Sequence, residues 1–153
     1  MSASGLTETN WIGTWHGVIE TYPEGQPGDG WHKTLVIGSY PTDDHTCTTW
    51  NGSFTQHGIT QLLKDYRFCR GNNATDLYID VGDGTTLGVQ RIDPIFITAF
   101  KSSGLYVISS LRMRGDTLEE EIITADDKPA DGKNLVSMGV HSIHHIQMKR
   151  ITD

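Results

Sequence analysis

Residues 109–122 read SSLRMRGDTLEEEI, and the Gly115-Asp116 pair at their centre decides the fold. Two residues led by Gly suit the primed turns, whose twist matches that of paired strands, so the stretch reads as a β-hairpin. The register follows: Arg114 stands opposite Thr117, Arg112 opposite Glu119 and Leu111 opposite Glu120. One face then carries Ser109, Leu111, Met113, Leu118, Glu120 and Ile122, while Arg112 and Glu119 form an ion pair on the other. The first face is the inner one. It carries a single carboxylate, Glu120, which is costly to bury unless paired or protonated.

The same grammar extends in both directions. Short strand-like runs at 11–21, 33–40, 46–56, 60–70, 76–81, 85–92, 95–101, 105–114, 117–124 and 135–150 alternate with Gly, Asp, Asn and Ser punctuation. The 153 residues include 17 Gly and 18 Thr but only five Pro, a mix that favours strands and tight turns over helices. The expected fold is therefore all-β: a single antiparallel up-and-down barrel of about 8–10 strands with little helix. A net charge of −7, with no basic run longer than two residues, argues against nucleic acid as a partner. No apolar run is long enough to span a bilayer as a helix. Residues 1–10 lack the features of a secretory signal, so a cytoplasmic location is expected.

A second hairpin turns at His57-Gly58-Ile59. A three-residue loop there pairs Gln56 with Thr60, Trp50 with Tyr66, Thr48 with Phe68 and Cys47 with Cys69. Its apolar side is Trp50, Phe54, Leu62, Tyr66 and Phe68. Cys47 and Cys69 become neighbours on the outward face, expected as two reduced thiols in a chain without an export signal. In the last run, alternation turns Met138, Val140, Ser142, His144, Ile146, Met148 and Arg150 inward, and His141 and His145 outward. Adjacent strand residues point apart, so His144 and His145 cannot share a metal. His141 and His145 share a face but are separated by about 13 Å of strand rise.

Gly13-Thr14-Trp15 resembles the G-x-W signature of the calycin superfamily, which includes lipocalins and fatty-acid-binding proteins. The resemblance implies that a basic residue near the end of the last strand, Arg150 or else Lys149, covers Trp15 at the closed end of a barrel. Ten runs lean toward the ten-stranded members. Gly13-Thr14-Trp15-His16-Gly17 with Tyr22-Pro23, and Gly115-Asp116-Thr117-Leu118 with the final His144-to-Arg150 stretch, are similar to nitrobindin-type haem-binding barrels. That likeness places the haem-ligating histidine at His144. On this reading residues 1–10 form an N-terminal segment, with room for a single helical turn near 5–10, and 11–153 form one calycin-like domain.

A barrel of this size encloses more space than its side chains need fill, and an apolar pocket with a few placed polar groups is the usual small-molecule site. Trp50, Tyr66, Phe68, Phe96 and Leu111 are the expected lining, with Glu120, Ser142 and His144 as polar contacts and Arg91 as a further inward candidate. Three functions fit: an intracellular module binding a small hydrophobic or amphipathic molecule, a haem protein with His144 as axial ligand, or an isomerase or cyclase using Glu120 and His144 as acid and base. No cofactor is required by the first; haem is the cofactor of the second. Either a monomer or a homodimer is compatible with the sequence.

Overall fold

Three of the turns share one geometry. His57-Gly58, Asp83-Gly84 and Ser103-Gly104 all have positive φ at both residues, between 52° and 81°. That is the type I′ requirement, and each joins consecutive antiparallel strands. Gly115 has a φ of 61° and leads the hairpin from which the fold was read. The computed structural model describes residues 11–128 and 137–151. Within them lie ten strands: β1 (Gly13–Tyr22), β2 (His32–Ile37), β3 (Thr46–Gln56), β4 (Ile59–Arg70), β5 (Leu77–Gly82), β6 (Thr85–Ile92), β7 (Ile95–Ser102), β8 (Leu105–Arg114), β9 (Thr117–Asp126) and β10 (Val140–Arg150). Each pairs antiparallel with the next, and β1 pairs with β10 to close the barrel. No helix among the described residues is long and apolar enough to cross a membrane. The helical turn near 5–10 and the start of the last run at 135–136 lie outside the described residues.

The β8–β9 register matches the sequence reading pair for pair, from Arg114↔Thr117 to Ser109↔Ile122. The β3–β4 hairpin reaches its expected register by another route. Its turn has two residues rather than three, with Gln56 opposite Ile59, and a shift between Phe54 and Thr55 then restores Trp50↔Tyr66 and Cys47↔Cys69. The two cysteines are not reduced thiols. Their sulfurs are bonded, with Cα atoms 4.0 Å apart. Leu62, assigned inward, is 44% exposed near the hairpin tip. In β10, Ser142, Ile146 and Met148 are buried as alternation requires. Met138 and Val140 are exposed instead, because the register shifts between Val140 and Ser142 and the alternation cannot be carried back through it.

The closing strands meet tightly. A Cβ on Gly17 would lie 2.3 Å from the Gln147 carbonyl oxygen, so only glycine lets β1 and β10 approach this closely. Trp15 is 1% exposed and sits opposite Arg150, whose guanidinium lies 4.5 Å from the centre of the indole. Arg150 also donates to the Ile12 carbonyl, and the Trp15 indole N–H donates to the Trp11 carbonyl at 2.8 Å. Trp11, Tyr40, Trp50, Phe68 and Phe96 continue this end inward as an aromatic plug, with ring centroids 4.7–6.2 Å apart.

The Cys47–Cys69 bond closes a loop with a sequence separation of 22 residues. Reducing it should lower the unfolding free energy by about 3 kcal/mol. Urea denaturation with and without reductant measures this, and thiol titration of the unfolded, unreduced chain should find no free cysteine.

Candidate functional site

Above the aromatic plug the barrel is not filled. A cavity of about 260 Å³ lies between the plug and the end that carries the 57–58, 83–84 and 103–104 turns. Trp50, Tyr66, Phe68, Phe96, Leu111 and Glu120 all line it. Strands β5 to β9 complete the apolar wall with residues such as Ile79, Val89, Val107 and Ile122. Ser142 and His144 are not on this wall. The structure thus brings Glu120, but neither His144 nor Ser142, to this wall. Both face inward, but β1 and the 23–31 segment crowd His144: it sits opposite Thr21, and a Cβ on Gly28 would lie 3.9 Å from its Cε1. Arg91 is also off the wall; it donates to the Tyr40 hydroxyl at 2.8 Å and to Asp93 at 3.0 Å, and stacks on Tyr40 and Phe96.

The polar part of the cavity contains two residues absent from the sequence reading. Lys33 Nζ donates to Glu120 Oε1 at 2.5 Å, and the two side chains are only 9% and 13% exposed. Lys64 lines the same cavity, and among the described residues no carboxylate lies within ion-pair distance of it. Both ammonium groups approach the Phe54 ring, at 5.2 Å for Lys33 and 5.3 Å for Lys64. Gly52 lies between the two stems: a Cβ there would be 3.7 Å from Lys33 Cε and 4.0 Å from Lys64 Cβ. Alternation did carry the signal. Lys33 shares its side of β2 with Leu35 and Ile37, and Lys64 shares its side of β4 with Tyr66 and Phe68.

Burial in this setting pushes the Lys64 ammonium below the ordinary lysine range. The neighbouring positive charge of Lys33 adds to the effect, and the Glu120 carboxylate opposes it. Burial likewise lowers the pKa of His144, against the raising influence of Asp29 and Glu120. Asp29 is held low mainly by the Gly25 amide, which donates to it at 2.8 Å and ties the 23–31 segment together. His145 faces outward and contacts Glu119 at 3.1 Å. Glu119 also accepts from Arg114 at 2.7 Å, a closer partner than the expected Arg112 at 3.8 Å.

Compared with protein-family models, curated proteins and solved structures, the chain matches none of them. The fold itself, a closed ten-stranded antiparallel barrel, is consistent with a calycin-like barrel.

Two predictions follow from the charges. Glu120→Leu or Lys33→Met alone strands a buried charge and should cost about 3 kcal/mol. The Lys33→Met/Glu120→Leu double variant should recover most of that loss, and a double-mutant cycle by urea denaturation reads the coupling. For His144, the folded-state pKa lies below the unfolded one, so its contribution to stability is present above about pH 6.5 and is lost as pH falls through the folded value. His144→Gln should flatten the decline in unfolding free energy below about pH 6.5, measured by denaturation at a series of pH values.

Proposed function

We propose that this protein binds a small hydrophobic or amphipathic molecule inside its barrel, in the manner of a calycin-like carrier. The observation that carries the reading is the cavity itself: about 260 Å³, apolar over most of its wall, with one paired and one unpaired cationic side chain at one side. That size is just below the usual range of roughly 300–1,000 Å³ for ligand pockets and suits a compact ligand. As a core this arrangement would be wasteful, since packed interiors leave few voids larger than a water molecule and bury charge reluctantly.

The haem and isomerase alternatives both depend on His144, whose imidazole lies off the cavity wall beside Thr21 and Gly28. An axial ligand or an acid–base partner of Glu120 needs that ring at the wall, so neither reading has a supporting observation.

Cinnamyl alcohol, a compact neutral apolar molecule, is a suitable probe. Titration calorimetry should show binding with a negative heat-capacity change, the marker of apolar burial. Val107→Phe places a ring in the cavity and should weaken that binding by about tenfold or more, with the unfolding free energy within about 1.5 kcal/mol of the wild type. Equal affinity in the variant would place the probe elsewhere and refute the reading.

A further inference from the structure

Three charged side chains line the cavity, and among the described residues only two of them pair. From this placement of an amine beside an ion pair and against apolar walls, we infer that Lys64 is a nucleophile that condenses with a hydrophobic aldehyde or ketone held in the barrel, joining it to the protein as an imine. The inference rests on the proposed binding function and names the ligand class for the same site.

Position supports it first. Lys64 projects from β4 into the cavity alongside Lys33, with Gly52 between their stems, so its amine meets whatever occupies the apolar space. Amines become nucleophilic when desolvation or a neighbouring cation disfavours their protonated form, and Lys64 has both influences. The Lys33–Glu120 pair supplies the proton shuttle that imine formation needs. The Lys64 lone pair forms the new C–N bond, and the carbonyl oxygen takes a proton from the pair while the nitrogen returns one. The resulting carbinolamine loses its C–O bond as the hydroxyl accepts a second proton and leaves as water. The nitrogen's remaining proton restores the pair, so one water is released and nothing is oxidised or reduced.

Cinnamaldehyde with sodium cyanoborohydride tests this on the full chain, because the hydride fixes the imine as a stable secondary amine. Peptide mapping at neutral pH should find an adduct of the aldehyde less its oxygen on Lys64, formed about tenfold or more faster than on exposed Lys101. The Lys64 rate should also level off at a pH below the ordinary lysine range. Lys64→Met and Lys64→Arg should both lose this adduct while retaining the β-rich circular dichroism spectrum. Should a variant fail to fold, the wild-type mapping and pH profile still decide. Labelling of Lys64 no faster than Lys101, in protein that binds cinnamyl alcohol, overturns this inference and leaves the binding function standing. Tighter binding of cinnamate than of cinnamyl alcohol, with no Lys64 adduct, overturns it in favour of an ammonium that receives anions. Absence of binding by all three compounds removes both readings.

Discussion

Everything inside this protein depends on the pairing of its first strand with its last. The nine other strand pairings join neighbours in sequence, and many are set by two-residue turns. Only β1 and β10 must find each other across the length of the chain, paying the loop-closure entropy that local hairpins avoid. The sequence concentrates its specialised devices there. Gly17 removes the one side-chain atom that would hold the strands apart, and Arg150 lies on Trp15 while tying down the Ile12 carbonyl. Closure leaves no open sheet edge and separates an inside from an outside. Without it the Lys33–Glu120 pair would be a surface ion pair of little consequence.

Once closed, the interior divides in two. Toward the Trp15 end, large rings fill the space and contact one another at tilted or edge-to-face angles, as a packed core should. Beyond Trp50 and Phe68 the side chains become too few or too small, and a cavity remains. The charged side chains that line the cavity, Lys33, Lys64 and Glu120, all stand at this second level. Taking Lys33 and Glu120 out of water costs several kcal/mol for each ion, and their short contact offsets that cost only while both are present. The plug therefore supplies stability that the cavity level spends, which is the arrangement expected where packing yields to binding.

The fold was legible because two-residue turns and strict alternation leave few choices. Gly115-Asp116 fixed the β8–β9 register outright, and β3–β4 came out in register even though its turn is one residue shorter than expected. A bulge absorbed the difference, and no bulge is written in residue types that sequence alone distinguishes. The same blindness exposed Val140 and Met138, since parity counted back from Ser142 crosses an irregularity in β10. The site was half legible. Its aromatic lining and Glu120 follow from parity, whereas Lys33 and Lys64 were passed over because long cationic side chains are ordinarily assigned to solvent. The bond between Cys47 and Cys69 was missed on an argument about compartment, although the register had already brought the two residues together.

Among the described residues the cavity wall carries an odd number of charges. Glu120 neutralises Lys33, and Lys64 is left to carry its charge in apolar surroundings or to give up its proton. Any occupant that changes the cost of that choice is linked to it thermodynamically, since what favours one state of Lys64 is favoured by it in return. A purely apolar molecule excludes the remaining water and drives the amine toward neutrality. An anion would do the opposite, and on the proposed chemistry a carbonyl compound would remove the amine altogether by bonding to it. On the proposed binding function, selectivity would reside less in the shape of the aromatic wall, which would admit any compact ring, than in the protonation state of one lysine two residues along β4 from Tyr66.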